Sequence, residues 1–322
     1  MVGSEDSTHP TRNTMLSRVL ADLPVSPTVT ELLTDKVDLV PWDSRSGKFD
    51  AIYTYGHPRV DAALMDQLAG IRVISNFGVG VDHIDVPAAT ARGIPVGNTP
   101  GILDGATADL AFSLILAAGR RIVEGDVYAK SPSFTHYDPS YMLGREVHHA
   151  TLGIFGLGRI GEQVAKRARG FDMNVLYHNR NRRPEIEQRL SVKHVSKDEL
   201  LSTSDYVLLM LPLTSETRGM IGAAELRKMK PTAALINAAR GAHVDTMALT
   251  EALAKQTIRM AALDVTDPEP LPRDHPLLKL DNVIITPHLG SATEETRRKM
   301  AEMSVENLLA GLAGRPLLNR VG

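Results

Sequence analysis

The fold is decided by Thr151-Leu152-Gly153-Ile154-Phe155-Gly156-Leu157-Gly158-Arg159-Ile160-Gly161. A short apolar run, predicted to be a strand, leads into glycines spaced G-x-G-x-x-G, and a helix is predicted to follow them. Gly156 permits the tight turn, Gly158 lets backbone N–H groups approach a pyrophosphate, and Gly161 lets the helix pack closely on the strand. The start of the helix adds partial positive charge. The stretch therefore predicts a dinucleotide-binding unit; the alternative is an ordinary strand-to-helix turn.

The end of the next predicted strand indicates which dinucleotide is bound. An acid about 20 residues after the first glycine would bind the ribose 2′-OH of NAD. Here that position is His178, and the run His178–Arg183 contains three arginines and no acid. Guanidinium groups suit a dianionic 2′-phosphate. We therefore predict NADPH over NADH, with NAD as the second cofactor, and take Asn179 and Arg180 as the cofactor residues here. Arg182 is a further candidate, and a merely solvated basic loop is the alternative.

Outward from this turn, short apolar runs alternate with longer amphipathic ones, which is typical of parallel sheets covered by helices. The chain has 322 residues, enough for about two domains. A first, less regular α/β unit is followed from Thr151 by a cleaner one. The predicted strands are Val37–Val40, Ala51–Tyr55, Val73–Asn76, Val96–Gly97, Leu152–Phe155, Asn174–Tyr177, Tyr206–Leu211, Ala233–Asn237, Met260–Asp264 and Val283–Thr286. The predicted helices are Asp61–Leu68, one long helix over residues 104–130, Arg159–Arg169 and Thr293–Leu312.

Composition excludes several classes of protein. Lys and Arg number 36 against 38 Asp and Glu, which argues against a nucleic-acid partner. There is no Cys, so disulfides, a thiol nucleophile and thiolate metal ligands are excluded. No run is apolar for about 18 residues, so no membrane partner is expected. Residues 1–14 resemble neither a secretory signal nor a transit peptide, and we expect a mobile tail there and a cytoplasmic protein.

Three predicted strands of the second unit are each followed by a charged residue. Arg240, Glu269 and His288 follow the strands that end near Asn237, Asp264 and Thr286. Ligands of open α/β sheets bind at the carboxyl ends of the strands, so these side chains should converge. Each alone has a structural explanation: a surface ion pair, a rigid Pro-Glu-Pro turn, an interior histidine.

Together the three residues suit the reduction of a 2-oxo acid. Arg240 can hold the carboxylate through paired hydrogen bonds. A protonated His288 can give its proton to the developing alkoxide. Glu269 can orient that ring and favour its charged form. The adjacent His148 and His149 would point opposite ways on a strand, so no metal site is expected.

With these pieces in place, the chain resembles the D-isomer-specific 2-hydroxyacid dehydrogenase family. The matching stretches are Asn76–Asp85, the glycine turn at 156–161, Asn237–Gly241, Asp264–Pro270 and Pro287–Thr293. It is most similar to the glyoxylate/hydroxypyruvate and 2-ketogluconate reductases, on the evidence of Glu146–His149, Tyr177–Arg180 and Pro268–Pro272.

The resemblance implies further roles and an architecture. Val79 and Gly80 would bind the substrate carboxylate beside Arg240 and His288. Thr107 would touch the cofactor from the long helix. The remaining cofactor residues would be Gly158, Arg159 and Ile160 (pyrophosphate), Leu211 and Pro212 (adenosine), and Ala238, Asp264 and Gly290 (nicotinamide). The family fold is α/β, with two Rossmann-like domains, parallel sheets and the active site in the interdomain cleft. On that basis residues 1–103 plus 291–322 would form the substrate-binding domain and residues 104–290 the dinucleotide-binding domain, usually in a homodimer.

The implied function is NAD(P)H-dependent reduction of glyoxylate, hydroxypyruvate or 2-ketogluconate to the D-2-hydroxy acid. A hydroxyphenylpyruvate-type reductase and a phosphoglycerate-type dehydrogenase are the alternatives among enzymes. An NAD(H)-sensing corepressor-like binding protein is the alternative outside them. Glu269 disfavours the formate dehydrogenase branch, which has Gln there. Phe134 stands where this branch often has Trp, which leaves the preferred substrate size open.

Overall fold

A computed structural model describes residues 16–22, 24–68 and 70–321; the predicted N-terminal tail lies outside these ranges. The strands are β1 (Ser17–Ala21), β2 (Val37–Pro41), β3 (Ala51–Thr54), β4 (Val73–Asn76), β5 (Val96–Gly97), β6 (Thr151–Phe155), β7 (Asn174–His178), β8 (Lys193–His194), β9 (Tyr206–Leu209), β10 (Ala234–Asn237), β11 (Met260–Leu263), β12 (Val283–Ile285) and β13 (Arg320–Val321). The helices are α1 (Pro27–Leu33), α2 (Ala62–Gln67), α3 (Val86–Ala91), α4 (Asp104–Arg120), α5 (Ile122–Ala129), α6 (Arg159–Arg169), α7 (Pro184–Leu190), α8 (Lys197–Thr203), α9 (Ala223–Lys228), α10 (Thr246–Ala254) and α11 (Glu294–Leu312).

The chain divides into two compact units. One runs up to Thr99 and resumes with Met300–Gly322, and the other is Pro100–Lys299. The chain therefore passes between the units before α4 and again inside α11. The boundaries predicted from the sequence are instead 103/104 and 290/291.

The first unit is built on a sheet in the order β13-β5-β4-β3-β1-β2. Its strands are parallel except β13, which pairs antiparallel with β5. The part of α11 that belongs to this unit is fixed by buried hydrogen bonds: the Tyr53 and Ser304 hydroxyls lie 2.8 Å apart, and the Ser75 hydroxyl donates to the Ser304 carbonyl at 2.7 Å. These polar anchors hold the last helix on β3 and β4.

The second unit is built on a parallel sheet in the order β12-β11-β10-β9-β6-β7-β8. Successive side chains of a strand point to opposite faces of the sheet, and an apolar cluster covers each face. Tyr206 and Leu208 belong to one apolar cluster, whereas Val207 and Leu209 belong to the other. The strand order reverses at β6, and that reversal is where an open α/β sheet binds its ligand. The predicted α/β fold with two parallel-strand sheets is confirmed.

The prediction of one long helix over residues 104–130 is wrong, because the helix is interrupted at Arg121. That residue adopts a left-handed conformation (φ 54°) between α4 and α5. The last carbonyls of α4 are taken by other groups: the Arg121 N–H donates to Ala117, the Arg259 guanidinium to Ala118 at 3.0 Å, and the Arg145 N–H to Gly119 at 2.7 Å. Since these partners satisfy the helix end, α4 stops and α5 starts in a new direction.

Candidate active site

The glycine turn lies between β6 and α6, at the reversal of strand order. Gly156 has φ +97°, and a Cβ on it would collide with the Met210 carbonyl oxygen. A Cβ on Gly161 would collide with the Gly156 carbonyl oxygen. Gly158 differs, because a Cβ there would meet no described atom within 4 Å. The first and third glycines are thus explained by the protein itself, and the middle one faces open space that suits a pyrophosphate.

Asn179 braces this turn. Its side-chain oxygen accepts from the Leu157 N–H at 2.7 Å, and the Arg183 guanidinium donates to the Leu157 carbonyl at 3.4 Å. Asn179 therefore lies at the turn, as predicted for a cofactor residue, and its contact there is with the backbone. Arg159 and Ile160 begin α6 directly after Gly158.

Arg182 and Arg180, two of the three arginines in the run after β7, have different surroundings. Arg182 donates twice to Glu187, at 2.7 and 2.6 Å, and Glu187 also accepts from the Tyr177 hydroxyl at 2.7 Å. The Arg182 hydrogen bond and then the Tyr177 bond hold the pKa of Glu187 at about 2. Arg180 is 83% exposed, with a carboxylate oxygen of Glu216 3.9 Å away. The structure thus commits Arg182 to Glu187 and leaves Arg180 as the better phosphate candidate.

Two of the residues predicted around the nicotinamide, Asp264 and Gly290, are in direct contact. The buried Asp264 carboxylate accepts from the Thr286 hydroxyl at 2.6 Å and from the N–H groups of Leu289 and Gly290 at 2.7 and 2.8 Å. Burial raises the pKa of Asp264, and these hydrogen bonds oppose the rise. The Thr107 hydroxyl lies 3.6 Å from the position of a Cβ on Gly290.

Two other groups of predicted cofactor residues end neighbouring strands. Ala238 directly follows β10 and is buried. Leu211 and Pro212 follow β9, with Leu211 half-buried and Pro212 exposed. They adjoin Met210, whose carbonyl touches the glycine turn.

His288 and Glu269 form a hydrogen-bonded pair. The Nδ1 atom of His288 lies 2.8 Å from Oε1 of Glu269. His288 has a positive φ of 56°, which is uncommon for a residue with a side chain, and its N–H is held by the carbonyls of Asp264 and Thr286 at 2.9 and 3.0 Å. Because the carboxylate accepts from Nδ1–H, proton transfer to a substrate must occur at Nε2.

Arg240 follows β10, two strands from β12 in the same sheet. It is half-buried, and one of its guanidinium nitrogens donates to the Ala239 carbonyl at 2.8 Å. Asn237 shapes this turn, since its amide donates to the Arg240 carbonyl at 2.8 Å and accepts from the Ala239 N–H at 3.1 Å. Asp264 follows β11, between these two strands, so all three strand ends carry predicted site residues at one sheet edge.

In the first unit, the predicted carboxylate-binding loop follows β4. The amide of the fully buried Asn76 donates to the carbonyls of Gly78 and Gly80, both at 3.0 Å, and Asn98 donates to the Val79 carbonyl at 2.9 Å. These hydrogen bonds fix the conformation of the loop that contains Val79 and Gly80. Sequence reasoning missed Asn76 and Asn237 as organisers; an asparagine that ends a buried strand was the available signal.

The described ranges contain neither a metal-binding cluster nor a membrane-spanning helix. No cluster of three or more His, Cys, Asp or Glu side chains there could hold a metal ion. Within the same ranges, none of the helices combines the length and the apolar character that a bilayer crossing requires. His148 and His149 lie in a turn, with rings 4.8 Å apart, and not on the strand that we predicted.

Comparison with known proteins decides the family. The model of "D-isomer specific 2-hydroxyacid dehydrogenase, NAD binding domain" matches residues 112–290, more than half of the chain. This chain belongs to the D-isomer specific 2-hydroxyacid dehydrogenase family. It is 44% identical to a glyoxylate reductase of Aeropyrum pernix over 313 residues, 92% of this chain and 93% of that one. It is 48% identical to a glyoxylate reductase of Korarchaeum cryptofilum over 262 residues, 81% of this chain and 79% of that one.

Solved structures of this dehydrogenase family agree over nearly the full length. A Thermus thermophilus protein superposes with a TM-score of 0.86 and 43% identity, covering 95% of this chain and all of that one. The NADPH-dependent glyoxylate/hydroxypyruvate reductase of Sinorhizobium meliloti, in complex with NADP and malonate, gives 0.85 and 31%, covering 95% and 97%. The matched dinucleotide-binding region contains the glycine turn, Arg240, Glu269 and His288.

Proposed function

We propose that this dehydrogenase reduces a small 2-oxo acid of the glyoxylate class to the 2-hydroxy acid, with NADPH as the preferred reductant. The observation that carries the proposal is the hydrogen-bonded pair of His288 and Glu269, placed by the same sheet that carries the glycine turn and Arg240. The names of the relatives support glyoxylate as the first substrate to try.

Each side chain of the proposed site has its own part in the reaction. When bound, the reduced nicotinamide supplies the hydride. Arg240 binds the carboxylate of the 2-oxo acid and polarises the neighbouring carbonyl. His288 gives the proton at Nε2 to the oxygen that becomes the hydroxyl, and Glu269 keeps the ring oriented through its hydrogen bond to Nδ1.

The cofactor fits the residues present. Open space at Gly158 and the N-terminus of α6 suit a pyrophosphate, and the cluster of Thr107, Asp264 and Gly290 suits a carboxamide. In the first unit, Val79 and Gly80 are proposed to give N–H groups to the substrate carboxylate.

A substrate panel tests the proposed activity. Purified protein with NADPH is mixed with glyoxylate, hydroxypyruvate, 2-ketogluconate, hydroxyphenylpyruvate or phosphohydroxypyruvate, and the loss of nicotinamide absorbance is followed. Turnover of at least one of the first three, faster than of the last two, is expected. Saturable NADPH binding without turnover of any of them would contradict the proposal and favour a sensor of the dinucleotide.

The preference for NADPH rests on Arg180. We expect Arg180→Asp to lower kcat/KM for NADPH by about tenfold or more, because one charge-assisted hydrogen bond is lost and a repulsive charge is added, with little change for NADH. The matched control is Arg182→Gln, whose guanidinium is already bound to Glu187. Equal losses in both variants, or an unchanged preference in the first, would reject this role.

A homodimer is also proposed, through an apolar face made of α5 and the loop after it. The helix α5 has no buried residue. Seven of the twelve exposed large hydrophobic side chains among the described residues lie in this segment, namely Ile122, Val123, Val127, Phe134, Tyr137, Tyr141 and Leu143. Exposed apolar surface of this extent usually marks an interface.

A further inference from the structure

His243 is a fully buried histidine whose two ring nitrogens both lie against backbone carbonyls. It ends the short 3-10 turn Gly241–His243, three residues after Arg240. Its Nε2 atom lies 3.0 Å from the Leu211 carbonyl oxygen, and its Nδ1 atom lies 3.1 Å from that of Thr217. The ring therefore joins the loop that carries Arg240 to the loop that follows β9.

Backbone hydrogen bonds also join the two loops at the far end of the second loop. Gly219 donates to the Ala242 carbonyl at 2.8 Å, Ile221 to the His243 carbonyl at 3.0 Å, and Asp245 to the Ile221 carbonyl at 3.0 Å. These bonds fix residues 219–221. The nearer part of the loop, residues 211–217, is reached by the His243 ring.

That nearer part is folded on itself. The Thr217 hydroxyl donates to the Pro212 carbonyl at 2.8 Å and accepts from the Thr214 N–H at 2.8 Å. These bonds tie Pro212, Thr214 and Thr217 together. A hydrogen bond to the carbonyl of the preceding residue, Leu211, therefore positions Pro212. Leu211 and Pro212 are the proposed border of the adenosine end of the cofactor.

The chemistry of the ring separates its two contacts. A carbonyl oxygen only accepts, and a neutral imidazole has a single N–H, so a neutral ring can donate to one of the two carbonyls. A bond to Leu211 would fix the segment proposed to border the cofactor, whereas a bond to Thr217 would fix the outer end of the turn. The two contacts can be tested separately, because a Gln amide nitrogen reaches about as far as Nε2 and an Asn amide nitrogen about as far as Nδ1.

We propose that His243 is a positioning residue for the dinucleotide, acting through an Nε2–H bond to the Leu211 carbonyl. This bond holds the Leu211–Pro212 segment at the carboxyl edge of the sheet. The backbone of His243 is in turn attached to the catalytic loop, since its N–H donates to the Arg240 carbonyl at 3.3 Å. The proposal rests on the proposed cofactor position and goes beyond it by assigning a residue that touches neither cofactor nor substrate.

The experiment compares His243→Gln, His243→Asn and His243→Leu with the wild type. The dissociation constant of NADPH is measured from the change in its fluorescence on binding, and kcat and the KM of glyoxylate are measured at saturating NADPH. Loss of the Leu211 bond is expected to weaken NADPH binding about tenfold in the Asn and Leu variants, while the Gln variant stays near the wild type. Because the damage is to cofactor binding, the KM of glyoxylate should stay nearly constant.

Hydrogen exchange adds a readout that needs no turnover. Amides of residues 212–218 should exchange faster in the Asn and Leu variants than in the wild type and the Gln variant, with or without NADPH. Equal NADPH affinity in the Gln and Asn variants would overturn the role of His243 and leave the proposed function standing, even if the Leu variant did not fold. A wild-type chain that does not bind NADPH would overturn both.

Discussion

At the scale of single residues, the proposed reaction takes its proton from His288. We expect His288→Asn to lower kcat for reduction of the 2-oxo acid by about 10² to 10⁴, the usual contribution of a positioned acid. The dissociation constant of NADPH should not change, because the turn that binds it is unaltered. Steady-state kinetics together with a fluorescence titration check both values. Near-normal turnover would remove His288 from the mechanism.

Glu269 should act on that step by holding the ring in place. Its Oε1 atom lies 2.8 Å from Nδ1 of His288. In Glu269→Gln the charge-assisted hydrogen bond becomes a neutral one, so we expect kcat for reduction to fall by about tenfold, with the dissociation constant of NADPH unchanged. Steady-state kinetics and a fluorescence titration measure the two quantities. An unchanged kcat would contradict the assigned role.

The sequence predicted charged residues at the carboxyl edge of the second sheet, but not the contacts that hold them. The pairing of His288 with Glu269 could be anticipated, because both follow strands whose carboxyl ends meet at one edge of the sheet. The pairing of Arg182 with Glu187 could not, because it depends on α7 turning back towards β7, with the Tyr177 hydroxyl on the same carboxylate. His243 was missed for a similar reason, since its partners are carbonyls 26 and 32 residues away.

At the scale of elements, two glycines of the turn differ: Gly161 is needed for packing, whereas Gly158 is proposed to serve cofactor binding. We expect Gly161→Ala to destabilise the fold by about 1–3 kcal/mol, because its Cβ would collide with a backbone carbonyl that cannot move aside. Gly158→Ala should leave the free energy of unfolding unchanged or raise it by up to about 1 kcal/mol, yet weaken NADPH binding. Denaturant unfolding and a binding titration on both variants check this. Equal destabilisation by the two would contradict it.

The carboxylate of Glu187 gives α7 a pH-dependent attachment. Its pKa is about 2 in the fold against an ordinary 4.5, so its stabilising effect is complete above pH 4.5 and is lost as the pH falls towards 2. The difference in unfolding midpoint between wild type and Glu187→Gln should therefore shrink between pH 5 and 3. Glu216→Gln, which removes an exposed carboxylate, is the control and should show no such trend. A difference that stays constant with pH would contradict the attachment.

Elements were predicted well where the pattern of burial was local. Strands such as β4 and β5 have the predicted bounds, because they are short apolar runs between polar turns. The break at Arg121 was missed, because residues 104–130 are rich in Ala and Leu and the groups that end α4 come from Arg145 and Arg259. The strands β8 and β13 were missed because Lys193, His194 and Arg320 are not apolar, unlike the two residues of β5.

At the scale of the whole molecule, the apolar face of α5 and its following loop should join two copies of the chain. The wild type should have twice its chain mass of 35.0 kDa in solution. Placing charges on the face, with Val127→Asp and Leu143→Asp together, should give single chains, because a buried unpaired carboxylate is too costly for an interface. Met247→Asp is the matched control, since Met247 is equally exposed but lies on α10. Light scattering after size exclusion distinguishes the cases: a wild type of single-chain mass, or a doubly charged variant that still pairs, would exclude this face as the interface.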